Sequence, residues 1–412
     1  MDREVGARIR LMREAVGLQA QDLAARVDLD PTVLSKIENG KRAIKAMELA
    51  RIADVLKVSP LALLEDDPLL SNLPIAARRA GPSVARGGAY QRLLGLAELH
   101  VVLAGAGLPT TPYLASVPDV VGRPWHEAAQ RLASWANDVL RVKDEADQRL
   151  GALADAIESK LNIDVLIEPH VDDTLSGAAI TDRSFPLIFV NSEFPSSRSL
   201  FTLAHELGHV LASHADDPVT LDRELLGSTD TERMANAFAA NYLMPGDEIR
   251  KEIDERGLKV STLAYLTYRL GVSYESLVYR LHNLRLINAA GRDKLKSISW
   301  QQLVSHLNDP QLSSQLSSRL FPNQVRKLQY RGTAKPAGRP PALLLQRAWE
   351  AYRKGIISVR PLAGLLGVDP DLLLNEIEAN GDFGAVVEEL ESANYRETDD
   401  VEPEELFGGN PV

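Results

Sequence analysis

Two histidines and a glutamate within residues 201–209, FTLAHELGH, are the residues of this chain best suited to chemistry. His205 and His209 lie four positions apart, so on a helix both imidazoles point to one side and can bind the same metal ion. Neutral imidazoles suit Zn²⁺, whose catalytic sites keep one coordination position for water. Glu206 lies beside that face, where it can remove a proton from a water whose pKa zinc lowers to about 7. The spacing therefore predicts a zinc-dependent hydrolytic site.

The residues around this motif indicate the elements that must position it. A helix is expected over about 200–211, and its apolar flanks argue against a chance match on a surface helix. Two histidines and a glutamate are costly inside a buried face unless something satisfies them. Short apolar runs at 164–168 and 186–191, each between turn residues, predict strands before that helix. Gly208 lacks a side chain next to the expected metal, which predicts room there for a substrate backbone.

A catalytic zinc site needs a third protein ligand, and the sequence offers two candidates. His214 follows His205 by nine residues, about 180° around a continuous helix, so we interpret it as a helix-end or surface histidine. Glu232 starts a second expected helix, over 231–243, whose small residues allow close packing. Asn236, one turn later, shares its face and can orient a ligand histidine through a hydrogen bond. The residues alone leave a second interpretation of Glu232, a solvated carboxylate that the helix dipole favours.

Two segments together resemble the ImmA/IrrE family of zinc metallo-endopeptidases: residues 201–209, and residues 232–245 with the sequence ERMANAFAANYLMP. The strand expected at 188–191 matches the one that this family places before its zinc helix. The resemblance covers roughly 146–288 and implies an α+β zincin-like domain with a small β-sheet. It also implies a protein substrate, which in this family is typically a helix-turn-helix repressor cut in response to stress or mobile-element signals.

The same resemblance implies a role for each residue of the expected site. His205, His209 and Glu232 are the implied zinc ligands, and Glu206 is the implied general base. The group that stabilises the tetrahedral oxyanion is not identified. Conceivable donors, each more readily interpreted as structural, are Tyr242, Tyr265, Tyr268 and His282.

The first 66 residues resemble the Cro/CI-type (XRE) helix-turn-helix domains, most closely in SKIENGKR at 35–42. The resemblance implies an N-terminal five-helix domain that places one short helix in the major groove of double-stranded DNA and the following loop on phosphates. The implied contacts are Thr32 and Lys36 on base edges, and Asn39, Lys41 and Arg42 on the DNA backbone. Because one short helix reads few bases, we expect a homodimer.

Several positions depart from that helix-turn-helix pattern. Asp28 stands at the usual turn glycine, Ala20 at a usual phosphate-contacting glutamine, and Asp30 and Pro31 at the groove entrance. Residues 1–66 also carry 11 basic and 11 acidic side chains, so non-specific attraction to phosphate should be weak. A helical partner-recognition module without a DNA role is the alternative.

The composition limits what the whole chain can be. Its 412 residues suggest two to four domains, and a net charge of −11 argues against a general nucleic-acid coat protein. The absence of cysteine excludes disulfides, thiolate zinc sites and cysteine nucleophiles. No apolar run approaches the ~18 residues of a membrane span, and the first residues are too polar for a signal peptide. We therefore expect a soluble, cytoplasmic protein with no membrane partner.

The expected architecture is multidomain and mainly α. The regions are an XRE-type helix-turn-helix domain (1–67), a linker and helical segment (68–145), an ImmA/IrrE-like metallopeptidase domain (146–288) and a helical C-terminal region with an acidic tail (289–412). The apolar spacing of residues 23–34 recurs at 266–277 and 362–373, which predicts two further helical hairpins. Segment 325–354 carries a net charge of +7, and the tail from residue 388 a net charge of −8.

These observations support one leading hypothesis about function and two alternatives. The leading hypothesis is a DNA-binding regulator with zinc-dependent endopeptidase activity towards a transcriptional repressor or an antitoxin-like partner. The second is a transcription factor whose peptidase-like domain senses a ligand or metal and cuts nothing. The third is a toxin–antitoxin or phage-response module in which segment 325–354 docks an acidic partner or nucleic acid.

Overall fold

The structure, a computed structural model, is mainly helical with one small sheet near the middle of the chain. It describes residues 2–15, 17–56, 58, 60–64, 88–114, 116–142, 149–170, 175–194, 196–212, 219–222, 229–298 and 338–380. Most of the expected linker, His214, residues 325–337 of the basic segment and the acidic tail lie outside these ranges. Among the described helices, none is both long enough and apolar enough to cross a bilayer.

Five helices form the N-terminal unit, as the resemblance implied. They are α1 (Asp2–Ala15), α2 (Ala20–Arg26), α3 (Pro31–Glu38), α4 (Ala46–Leu56) and α5 (Pro60–Leu64). Their apolar residues recur every three or four positions and meet in a core that includes Ile9, Leu34 and Ile52. A buried ion pair joins the ends of α1 and α3, with Arg13 Nε 2.7 Å from Glu38 Oε1. This pair helps to fix the orientation of α3.

A four-stranded sheet forms the centre of the structure. Its strands are β1 (Asp164–Glu168), β2 (Gly177–Ile180), β3 (Leu187–Asn191) and β4 (Val219–Asp222), in the order β1-β3-β2-β4. Strand β1 runs parallel to β3, and β2 runs antiparallel to both of its neighbours. The alternation of side chains sends Val165, Ile188 and Ala179 to one face, and Leu166, Phe189 and Ala178 to the other.

Helices cover both faces of this sheet. The helices before β4 are α6 (Gly88–Gly105), α7 (Trp125–Leu140), α8 (Arg149–Leu161) and α9 (Ser196–Ala212), and α10 (Asp230–Leu243) follows it. Helices α8 and α9 pack on one face, with α10 and α7 packed behind α9. The helices expected over 200–211 and 231–243 and the two expected strands are thus confirmed, with small shifts of their ends.

The chain continues through a group of helices that includes the first expected hairpin. They are α11 (Gly246–Arg256), α12 (Val260–Leu270), α13 (Tyr274–Asn283) and α14 (Ala289–Lys296). Gly271 joins α12 to α13 with a φ of +66°, a left-handed conformation that glycine adopts without strain. Helix α14 packs on α13, and Tyr274 Oη donates a hydrogen bond to Leu295 O (3.3 Å), so this group continues past residue 288.

The C-terminal helices α15 (Ala342–Arg353), α16 (Val359–Leu366) and α17 (Pro370–Asn380) lie on the other side of the sheet. Helix α15 contacts β1 and α6. Its first turn donates backbone hydrogen bonds to two buried carboxylates, from Leu344 N to Asp164 Oδ1 (2.9 Å) and from Ala342 N to Glu158 Oε1 (2.9 Å). Both expected hairpins are present, the first as α12 and α13 and the second as α16 and α17.

The described part of the basic segment is used inside the chain. Arg339 pairs with Asp155 and Glu158 of α8, and its backbone bridges to Ile167 at the edge of β1. Arg347 donates to Leu108 O (2.8 Å). These two cations of the +7 segment therefore bind this protein's own sheet, helix α8 and the loop after α6.

Candidate functional site

Helix α9 carries His205, Glu206 and His209 and buries all three side chains completely. Its apolar residues pack against β2 and β3 and against α10, which holds the helix in the centre of the domain. The four-residue spacing puts the two imidazoles on one face, with their Nε2 atoms 3.0 Å apart. The pair is therefore preformed by local helix geometry.

Glu232 reaches the two histidines from the first turn of α10. This helix begins after Thr229, whose hydroxyl accepts a hydrogen bond from Glu232 N (3.2 Å). One oxygen of the Glu232 carboxylate lies 3.4 Å from His205 Nε2, and the other lies 3.5 Å from His209 Nε2. The Glu232 side chain is 18% exposed while both histidines are inaccessible, so this group of three faces solvent on the Glu232 side.

The three side chains fit a zinc ion. Metal–ligand bonds of about 2.1 Å at tetrahedral angles place donor atoms about 3.4 Å from one another. The closest approaches here are 3.0, 3.4 and 3.5 Å, on both sides of that value. Glu232 Oε2 accepts no hydrogen bond from any described residue. Two imidazole nitrogens and a carboxylate that face one another this closely are best stabilised by a cation between them.

Asn236 contacts the far side of the His205 ring from the next turn of α10. Its Oδ1 lies 3.1 Å from His205 Nδ1, so the imidazole donates a hydrogen bond to the amide oxygen. A proton held on Nδ1 leaves the lone pair of Nε2 directed at the metal position. The contact is the one that the spacing of Glu232 and Asn236 predicts.

Gly208 has a different role from the expected one. A Cβ at this position would stand 3.0 Å from Phe238 Cδ1 and 3.3 Å from Ala235 Cα. The missing side chain therefore lets α9 and α10 approach each other closely, and it does not open space for a substrate beside the metal position. This close approach is what brings Glu232 within reach of the histidines.

Two further residues at this site are not recognisable from the sequence. Thr202 lies one turn before Glu206 and is buried, and Gly177 of β2 lies directly against both side chains. No spacing rule links a strand residue to a helix residue in this way. A glycine inside an apolar strand, which often marks a close approach of backbone, is the one available signal.

The suggested oxyanion donors lie on three helices. Tyr242 is on α10, Tyr265 and Tyr268 are on α12, and His282 is on α13. Tyr242 stacks on Phe238, and burial raises its pKa. The guanidinium carbon of Arg256 lies over the ring of Tyr265, 4.5 Å from the ring centre. These contacts give Tyr242 and Tyr265 structural roles.

Of the two side chains expected to contact base edges, Lys36 is exposed and Thr32 is hydrogen-bonded to Asp30. Lys36 is exposed on α3 and free to approach a DNA groove. The hydroxyl of Thr32 donates a hydrogen bond to Asp30, the residue whose carboxylate also accepts from Thr32 N (2.7 Å) and begins α3. Thr32 is therefore tied to the helix cap, and while this hydrogen bond to Asp30 is kept its hydroxyl can contact a base edge only as an acceptor.

Of the three residues expected on the DNA backbone, two bind groups of this chain through their side chains. Lys41 is exposed. Asn39 donates to Ser35 O (2.7 Å), which satisfies a carbonyl at the end of α3. Arg42 forms a two-bond ion pair with Glu48 (2.8 and 2.9 Å), and these hydrogen bonds lower the pKa of Glu48 to about 2. Lys36 and Lys41 are thus the cations of this set that reach solvent without an internal ion pair among the described residues.

Two family models match separate parts of the chain. The IrrE N-terminal-like domain matches residues 158–282, and a helix-turn-helix matches residues 9–63. The first match contains the whole group formed by His205, His209 and Glu232. The second contains all five helix-turn-helix residues discussed above.

Curated relatives agree with this division. The radiation response metalloprotease IrrE of Deinococcus radiodurans is 27% identical over 193 residues, 43% of this chain and 57% of that protein. IrrE of Deinococcus deserti is 35% identical over 104 residues, 24% of this chain and 37% of that protein. The control protein C.MunI of Mycoplasma sp is 37% identical over 57 residues, 14% of this chain and 77% of that protein. The chain thus spans at most 57% of the length of these metalloprotease relatives.

Proposed function

Since this chain joins an XRE-type helix-turn-helix domain to an IrrE-like metallopeptidase domain, we propose that it is a DNA-binding regulator with zinc-dependent endopeptidase activity. The proposed reaction is hydrolysis of one peptide bond in a transcriptional repressor or an antitoxin-like partner. The observation that carries the proposal is the convergence of His205, His209 and Glu232, with Glu206 on the same buried helix.

Each residue of the group has one task in this reaction. His205, His209 and Glu232 would hold zinc, which supplies an activated water and polarises the scissile carbonyl. Glu206 accepts the proton of the attacking water and transfers it to the leaving amine. Asn236 keeps the His205 ring in the tautomer and orientation that ligation needs.

The test is cleavage of XRE-type repressors encoded near this gene, read by intact mass. Purified wild-type protein with one zinc per chain should produce two fragments whose masses sum to the repressor plus one water, and a chelator should stop the reaction. Glu206→Gln should keep the zinc and lose cleavage, since the amide cannot accept the proton. Glu255→Gln, which changes an exposed carboxylate of α11, is the matched control and should cleave normally. Unchanged cleavage by Glu206→Gln would remove the assigned base.

The N-terminal domain is proposed to bind double-stranded DNA as a homodimer. Helix α3 has eight residues and presents Lys36 to solvent, so one copy can read few base pairs. The likeness to a control protein over 57 residues supports the DNA role. Sedimentation of the protein with and without a palindromic operator should give a complex with two chains per operator; a complex with a single chain would contradict the dimer.

A second candidate function is supported by the burial of the site. His205, Glu206 and His209 are all inaccessible to solvent, as in a metal site that stabilises a domain without meeting a substrate. Under this alternative the central domain senses metal or a ligand, and cuts nothing. Glu206→Gln would then leave regulation intact while His205→Ala, which removes a ligand, would change operator affinity.

A further inference from the structure

Strand β2 lies against the proposed general base with no side chain between them. A Cβ built on Gly177 would stand 2.8 Å from Glu206 Oε1 and 2.3 Å from Thr202 Cγ2. Carbon atoms do not approach other heavy atoms this closely without a shift of the structure, so the sheet can occupy this position only with glycine at 177. The φ of Gly177 is not in the left-handed region, so the reason for glycine here is space and not backbone conformation.

The backbone of β2 cannot easily move away from this contact. Gly177 pairs with Val190 of β3 on one side and with Asp222 of β4 on the other, and Phe189 O lies 3.2 Å from the same Cβ position. Glu206 for its part is completely buried on α9. The carboxylate is therefore confined between a helix that carries the zinc ligands and a strand that is hydrogen-bonded on both edges.

Thr202 completes the wall on the helix side. It lies four residues before Glu206 and three before His205, so it shares their face of α9. Its methyl group points at Gly177, and its buried hydroxyl has no hydrogen-bond partner among the described residues. The contribution of Thr202 to this contact is therefore the shape of its methyl group.

We propose that Gly177 is a positioning residue for Glu206: the bare backbone of β2, with the Thr202 methyl beside it, holds the carboxylate in the one position from which it can reach the attacking water. This inference rests on the proposed peptidase function. A general base must lie within hydrogen-bond reach of its proton, and a displacement of about 1 Å can cost on the order of 100-fold in rate. Gly177 acts through Glu206 and does not itself contact the reacting atoms.

The first test is Gly177→Ala, with the repressor cleaved in the assay above as substrate. We expect one zinc per chain, a kcat lower by about 100-fold and a KM changed less than about twofold, because substrate binding and the three ligands are left in place. Gly95→Ala on α6, where no atom lies within 4 Å of the new Cβ, is the matched control and should keep the wild-type kcat. A Gly177→Ala variant with wild-type kcat would overturn the proposal.

A double variant separates positioning from a general loss of folding. Thr202→Ser removes the methyl group that the new Cβ would strike at 2.3 Å, while the 2.8 Å approach to Glu206 remains. In the Thr202→Ser background, Gly177→Ala should therefore cost much less thermal stability than it costs in the wild type. It should still lower kcat to the same low value. Recovery of kcat together with stability would show that Gly177 matters only for packing.

A further arm gives an answer even if no protein is cleaved. In a Glu206→Ala background the carboxylate that meets the new Cβ is absent, so Gly177→Ala should lower the unfolding midpoint less than it does in the wild type. Equal losses in both backgrounds would remove the contact between Gly177 and Glu206, and with it the proposal. A clear coupling in a protein that cleaves nothing would support the contact while the peptidase function itself fails.

Discussion

Replacing Asp164 with asparagine should remove a pH dependence from the contact between β1 and α15. Asp164 is completely buried, and its Oδ1 accepts a hydrogen bond from Leu344 N in the first turn of α15. Its Oδ2 has no hydrogen-bond partner among the described residues. Burial raises the pKa of Asp164 to about 7, with a further increase from Glu158, and the hydrogen bond from Leu344 N and the charge of Arg347 oppose this.

The sign and size of the effect follow from this pKa. Because the folded protein holds the Asp164 proton more tightly than the unfolded chain, the stability from this group is complete below about pH 4 and is lost as the pH rises to about 7. The full difference is on the order of 4 kcal/mol, of which on the order of 3 kcal/mol falls between pH 5 and 8. Asparagine imitates the neutral acid and keeps an oxygen for Leu344 N. Asp164→Asn should therefore not lose this stability as the pH rises.

Hydrogen exchange of peptides that cover 164–168 and 338–353 measures the opening of this contact at each pH. In the wild type, protection of these peptides should fall strongly from pH 5 to pH 8 after correction for intrinsic exchange. Asp164→Asn should keep nearly constant protection, and Asp138→Asn, which changes an exposed carboxylate of α7, controls for the lost charge. Equal pH dependence in the wild type and Asp164→Asn would refute the reasoning.

Three further predictions concern the metal group and the N-terminal domain. Asn236→Ala should lower zinc affinity about 10- to 100-fold in chelator competition. Asn236→Asp keeps an oxygen acceptor for the imidazole, so its zinc affinity should fall much less. An equal fall in both variants would contradict the orienting role. Asp28→Gly should raise the free energy of unfolding of the N-terminal domain by about 0.5–1 kcal/mol, because Asp28 has a φ of +55° that glycine adopts without strain. Asp22→Gly, inside α2, is the control and should lower this free energy. A lower free energy of unfolding in both variants would count against strain at the turn. Lys41→Ala should reduce the salt dependence of operator binding by about one phosphate contact, with the exposed Lys251→Ala as control, and an unchanged slope would place Lys41 away from DNA.

The parts of this fold that the sequence predicts are those set by local spacing. A four-residue interval places two imidazoles on one helix face, and an Asp-Pro pair begins α3, because both effects act within one helical turn. For the third proposed ligand, Glu232, the residues alone left two interpretations, because its approach to the histidines depends on the packing of α10 on α9. That packing depends on Gly208, whose purpose is readable only once Phe238 is known to lie opposite.

The contacts that sequence analysis misses are those between distant segments. Gly177 and Glu206 are separated by 29 positions, and Asp164 and Leu344 by 180. Nothing in either local pattern indicates the partner, because burial and not spacing decides which groups meet. The basic segment shows the same limit: its net charge suggested an external partner, whereas Arg339 and Arg347 bind groups of this chain.

The three hairpins show how far shape and function are independent in this chain. The shared apolar spacing gives all three the same turn, with a positive φ at Asp28 (+55°), Gly271 (+66°) and Gly367 (+70°). The exposed charges differ: α3 presents Lys36 and is followed by Lys41, whereas residues 370–380 of α17 contain three acidic residues and no lysine or arginine. A surface of that sign repels phosphate at any distance within the Debye length. Apolar spacing therefore accounts for the fold of each hairpin, while the acidic second helix of the third hairpin argues against DNA contact there.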